Sequence, residues 1–158
     1  LIISHVFSNN KHSDLNSYLL NTKVQYFLFE EKEISGKVFD ELKKINPKRI
    51  ILAGFLKKIP PSYLSFFKNK IINIHPSLLP KYGGKGMYGS NIHKKVIQNK
   101  ESESGITIHY VSKEYDAGKI IFQKKIKVDK NDTPKKLEEK IHKLEYEYFP
   151  KIVESLLT

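Results

Sequence analysis

The chain contains no cysteine. That excludes a disulfide framework, a thiol nucleophile and any cysteine-based metal site, and it agrees with a reducing compartment. There is no apolar run near the ~18 residues that a membrane-spanning helix requires, and no charged n-region, apolar h-region and cleavage site open the chain. A cytoplasmic location with no membrane partner is the expectation. Arginine is almost missing: of 28 basic residues only Arg49 is one, so lysine carries the net charge of +11. Arginine is the residue suited to bidentate recognition of phosphate and guanine. The lysines are dispersed, and those of KKLEEKIHKLE alternate with glutamates as on a solvated helix face. Together with many Ile, Asn and Tyr, the skew matches A+T-rich coding. No nucleic-acid partner is expected, while the surplus charge favours small anionic substrates.

What is present is enough for one ordinary domain over residues 1–158, with 39% hydrophobic and 28% charged residues, a globular balance. Strand-like and helix-like segments alternate. Residues 1–8 read as a strand, 13–21 as a short helix with Ser13 as N-cap, and 24–29 as a second strand. Val38, Phe39, Leu42 and Ile45 mark one face of a helix over 35–45. A strand over 49–54, a helix opened by Pro60 and Pro61, and a strand over 70–74 follow. After a loop and a helix near 90–98, residues 105–112 and 119–128 read as an antiparallel hairpin, and an amphipathic helix runs from about 133 to 156. The pattern predicts an α/β fold: a doubly wound, mainly parallel, Rossmann-like sheet with an antiparallel C-terminal hairpin and a long C-terminal helix.

Ligands of open parallel sheets gather beyond the carboxyl ends of the strands. That brings together residues 53–59, 73–84 and the hairpin tip near Asp116. Asn73 and His75 sit at i and i+2 of an extended segment, so their side chains leave one face about 7 Å apart. Pro76 ends the strand and limits where His75 points. An amide N–H suits an oxygen that becomes negative in a tetrahedral adduct, and a histidine can relay a proton near neutrality. Asp116 is the carboxylate placed to stabilise the protonated ring. No G-x-S-x-G turn and no cysteine supplies a nucleophile, so the set points to direct acyl transfer between two bound molecules. Taken alone, His75 also reads as a hydrogen-bonded structural histidine, and Asp116 as an ordinary turn residue. His109 faces with Thr107, leaving active-site support and core packing both open. His93 approaches from the following helix; His5, His12 and His142 read as structural or surface groups. Isolated histidines without paired carboxylates give no ligand set, so no metal is expected.

The run Asn73-Ile74-His75-Pro76-Ser77-Leu78-Leu79-Pro80-Lys81-Tyr82 has further motifs around it. Ala53-Gly54-Phe55 precedes it; Gly105-Ile106-Thr107-Ile108-His109 and Tyr115-Asp116-Ala117-Gly118 follow. Together they resemble phosphoribosylglycinamide formyltransferases over nearly the whole chain. The resemblance implies formyl transfer from 10-formyltetrahydrofolate to the amine of phosphoribosylglycinamide in purine synthesis. It implies that Asn73 binds the formyl oxygen, that His75 donates the proton, and that Asp116 supports that histidine. It implies that Leu56, Lys57, Lys58 and Ile59 line the reduced-folate pocket, largely through main-chain groups, and that Glu145 holds the glycinamide substrate. Formyltetrahydrofolate hydrolase, amino-sugar or tRNA formyltransferase, and an inactive binding module are the competing readings.

Such proteins open with a strand, a Gly- and Ser-rich turn and a helix whose N–H groups hold the ribose phosphate. Here the first strand matches their second, so an N-terminally incomplete catalytic domain is expected, in preference to a naturally shortened one. Residues 81–90 (KYGGKGMYGS) match no Walker pattern and read as a mobile active-site loop.

Overall fold

A computed structural model describes residues 1–157. They form two compact units, divided between Pro47 and Lys48. In the first, β1 (His5–Ser8) pairs in parallel with β2 (Gln25–Leu28), and α1 (Leu15–Leu19) connects them. Phe7 and Phe27 stack across the pair at 4.9 Å. Ser13, expected as the N-cap, lies one residue early: Asp14 holds that position, and the Ser13 hydroxyl accepts the Leu15 N–H at 3.2 Å. The helix expected over 35–45 is α-helical only as α2 (Phe39–Ile45), preceded by a 3₁₀ turn at Glu31–Glu33 and a π turn at Ile34–Val38. Gly36 weakens a regular helix there. Glu30 and Glu33 close the first turn reciprocally, with the Glu30 N–H donating to Glu33 Oε2 at 2.7 Å.

The second unit runs β3 (Ile50–Leu52), α3 (Pro61–Phe66), β4 (Ile71–His75), α4 (Ser90–Gln98), β5 (Glu103–Tyr110), β6 (Ile120–Lys127) and α5 (Pro134–Ser155). Its sheet has the order β3-β4-β5-β6; β3 and β4 are parallel, and the C-terminal hairpin β5–β6 joins antiparallel to β4. This is the expected α/β class, with parallel strands first, an antiparallel hairpin after them and a long helix at the end. Proline at the first position starts both α3 and α5, where its missing N–H has no intrahelical partner to lose.

The core lies where α4 and α5 cover β5. Ile92, Val96, Ile106, Leu137 and Ile141 form one buried cluster, and each such side chain contributes about 1.5–3 kcal/mol by leaving water. Leu137, Ile141, Leu144 and Tyr148 follow helical spacing on α5. The Thr133 hydroxyl caps that helix by accepting the Lys136 N–H at 3.2 Å. At its other end Arg49 Nη2 donates to the Leu156 carbonyl at 2.7 Å, so the lone arginine closes a helix terminus. No helix among the described residues is long and apolar enough to cross a membrane.

Ile141→Ala is expected to lower the unfolding free energy by about 2–5 kcal/mol, and Thr133→Ala by about 1 kcal/mol, both read by urea denaturation. Equal small losses would contradict the burial of Ile141.

Candidate active site

The β4–β5 register assembles the site. Asn73 lies opposite His109 and His75 opposite Thr107, so four polar side chains share one face of the sheet. His109 Nδ1 lies 2.9 Å from the Tyr110 carbonyl and must donate to it. In the neutral ring Nε2 is therefore an acceptor, and it takes an N–H from Asn73 Nδ2 at 3.2 Å. One amide N–H of Asn73 is thereby committed, and the carboxamide is oriented. Among the described residues no other acceptor takes the second N–H.

His75 is 4% exposed, with its Nε2 donating to the Tyr82 carbonyl at 2.7 Å. Only Nδ1 remains to exchange a proton, and it faces Asp116 Oδ1 at 3.5 Å, a charge-pair distance at the limit of hydrogen bonding. The same oxygen lies 3.7 Å from His109 Nε2. Asp116 Oδ2 accepts the Gly84 N–H at 2.9 Å. Asp116 sits at φ 54, in the left-handed region that Asp tolerates better than most residues. Gly118, just beyond, packs against the Tyr110 carbonyl so closely that a Cβ there would collide with it. The D-x-G spacing therefore reports a backbone requirement as well as a charged group.

Behind His75 the Pro-marked loop is clasped by the buried Thr107 hydroxyl and by the side-chain amide of Gln123. Thr107 Oγ1 donates to the Ser77 carbonyl at 2.6 Å and accepts the Leu79 N–H at 3.0 Å. Gln123 Nε2 donates to Thr107 Oγ1 at 2.8 Å and to the Leu79 carbonyl at 2.9 Å. The loop read as mobile is tied down in its first half, at Lys81, Tyr82 and Gly84.

A small solvent-open cleft lies beside these groups. Asn73, His109 and Asp116 line it, as do Lys57, Lys58 and Ile59. Three of the four residues expected along a pocket wall are thus there, with Phe55 in addition, while Leu56 is 53% exposed and outside the lining. His75 does not line the cleft and meets it through Asp116. Lys58 Nζ lies 3.5 Å from Glu114 Oε2 and 5.8 Å from the Tyr115 ring. Glu145 is not part of this cleft; its carboxylate accepts from His142 Nδ1 at 2.7 Å on α5. His93 is buried on α4, away from the cleft lining. The motifs include Phe55 and Tyr82, but the sequence assigned no role to Phe55 or to the loop main chain at Tyr82 and Gly84. His109, left open between active-site support and core packing, lines the cleft.

An oriented amide and an acid–histidine pair at a cleft, without a nucleophile among them, define an α/β protein equipped to stabilise an oxyanion and move a proton. Residues 2–153 match the formyl transferase model, and the chain belongs to that family. It is 41% identical over 118 residues to the chloroplastic phosphoribosylglycinamide formyltransferase of Arabidopsis thaliana, covering 75% of this chain and 40% of that protein. The Bacillus subtilis phosphoribosylglycinamide formyltransferase is 37% identical over 137 residues, covering 83% of this chain and 68% of that protein. The chain therefore spans well under half the length of the plant relative. The crystal structure of phosphoribosylglycinamide formyltransferase from Anaplasma phagocytophilum superposes with a TM-score of 0.88 at 31% identity, covering 99% of this chain and 74% of that one.

Burial holds His93 and His109 below the ordinary histidine value of 6.5. At His109 the Tyr110 carbonyl and Asp116 oppose the shift. A depressed value means that the unfolded chain takes up protons first, so stability is complete above 6.5 and is lost as pH falls toward the folded-state values. Urea denaturation across that range should show stability declining on acidification, with a smaller slope in His93→Leu. An unchanged slope would show that the His93 ring is not a titrating group.

Proposed function

We propose that this chain carries the catalytic machinery of a phosphoribosylglycinamide formyltransferase, using 10-formyltetrahydrofolate as donor. The observation that carries the reading is the meeting of Asn73 and Asp116 in the lining of a cleft, with buried His75 behind Asp116, in a chain of this family. The reading brings small-molecule partners, a reduced folate and phosphoribosylglycinamide. The wall from Lys57 to Ile59 is the place for the folate, and Glu145 for the glycinamide acceptor.

In the reaction the acceptor amine attacks the formyl carbon, and the carbonyl oxygen takes up negative charge. The second N–H of Asn73 donates to that oxygen; one such preorganised donor is worth about 3 kcal/mol. The new C–N bond forms as the bond from the formyl carbon to folate N10 breaks. A proton must leave the attacking nitrogen and one must reach N10. Asp116 faces the cleft, with Nδ1 of His75 behind it as the exchanging position. Fixing Nε2 on Tyr82 confines that exchange to one nitrogen. His109 keeps the amide of Asn73 turned the right way.

Turnover should be followed by absorbance of the folate product in the full-length protein, with and without the glycinamide acceptor. His75→Ala is expected to lower turnover by about 10² or more while folate affinity changes little, and Asn73→Ala by about 10²–10³. Wild-type turnover in His75→Ala would remove the mechanism. Formate release at the same rate without acceptor would replace transfer by hydrolysis.

A further inference from the structure

Tyr82 occupies a backbone conformation that its sequence neighbours do not explain. It has φ 57, in the left-handed region, where a bulky residue persists only if its surroundings impose it. Its phenol donates to Glu101 Oε1 at 2.9 Å and accepts from Asn99 Nδ2 at 2.8 Å. Lys81 Nζ grips both oxygens of Glu101 at 3.1 Å. The hydrogen bonds from Lys81 and then Tyr82 hold the Glu101 carboxyl below its ordinary range, so it stays an ionised acceptor for the phenol. The Tyr82 ring packs against the Ile92 cluster.

The main chain of residues 82–84 holds the reacting groups. The Tyr82 carbonyl takes Nε2–H of His75 at 2.7 Å, and the Gly84 N–H holds Asp116 Oδ2 at 2.9 Å. Between them, a Cβ on Gly83 would come within 2.6 Å of Leu79 Cδ2 and 3.2 Å of Asp116 Cβ. Residues 82–84 thus form a bracket with one arm on the histidine and the other on the carboxylate. Its polar side-chain mooring is the Tyr82 phenol, beside the packed ring.

We propose that Tyr82 is a positioning residue: anchored outside the cleft by Glu101 and Asn99, it sets the spacing of His75 and Asp116 through its backbone. The bracket stands on geometry alone, and its effect on turnover rests on the formyl-transfer reading. Misplacing reacting groups by a fraction of their spacing lowers the rate of the chemical step without weakening ground-state binding.

The test uses the full-length protein. Tyr82→Phe keeps the ring and removes the O–H. It should lower kcat about tenfold while KM for either substrate moves by less than about twofold, and exchange of the His75 Nε2 proton, followed by NMR, should accelerate about tenfold or more. Glu101→Gln keeps an acceptor for the phenol and should stay near wild type; Glu101→Ala should behave as Tyr82→Phe does. Gly83→Ala, whose Cβ would crowd Leu79 and Asp116 without touching the phenol, should lower kcat in the same way. Wild-type kcat and unchanged proton exchange in Tyr82→Phe would overturn the proposal, as would equal losses in the two Glu101 variants. Thermal melts confirm that each variant is folded. If the wild type transfers no formyl group, the functional reading fails, and the exchange measurement still decides the bracket.

Discussion

A slip of one residue between β4 and β5 would turn the side chains of one strand over relative to the other, parting Asn73 and His75 from His109 and Thr107. The register Asn73 to His109 and His75 to Thr107 is therefore the constraint on which the site depends. Apolar burial enforces it, because Ile72, Ile106 and Ile108 are all inaccessible in the observed pairing. A slip would carry the isoleucines of the displaced strand toward the polar face, at about 1.5–3 kcal/mol for each side chain that loses its burial. Thr107 ties the register to the loop that follows β4, through its bonds to Ser77 and Leu79. Core packing and site geometry are thus one requirement.

The polar groups on that face tolerate burial because each has a stated partner and few carry charge. His109 is kept neutral by its surroundings, which makes it an acceptor for the Asn73 amide. Thr107 and Gln123 satisfy one another and the loop carbonyls. A buried polar network of this kind is favourable only when all its members are satisfied. Asp116 carries the charge of the site, at the rim, where its side chain is 12% exposed and held by a main-chain N–H. The lysines are mostly elsewhere, although Lys57 and Lys58 bring positive charge to the cleft wall.

Much of this is legible in the sequence, for physical reasons that differ by element. The alternation of short β-branched runs with amphipathic segments reads directly as α/β, and Thr133-Pro134 announces the start of the last helix. The i, i+2 placement of Asn73 and His75 needs only strand geometry. Less regular parts are not legible. Residues 31–45 change helix type around Gly36, which spacing of apolar residues does not register. His109 looks like half of an ordinary alternation until the cross-strand partner is known. Tyr82 lies inside a conspicuous motif, yet its contribution runs through its carbonyl and through a carboxylate 19 residues away. Phe55 rather than Leu56 faces the cleft because the chain beyond β3 is irregular, where no two-residue period applies. The family resemblance supplies roles for Asp116 and Glu145 that local pattern does not. Geometry gives Asp116 its partner, and sets Glu145 beside His142 on α5.

The most direct test of formyl transfer by this set is a crystal structure of the full-length protein with a stable 10-formyl folate analogue and the glycinamide ribonucleotide. The formyl oxygen should lie within hydrogen-bonding reach of Asn73 Nδ2, with Asp116 on the side of the acceptor amine. A formyl group turned toward Phe55 and away from Asn73, or a folate bound outside this cleft, would contradict it.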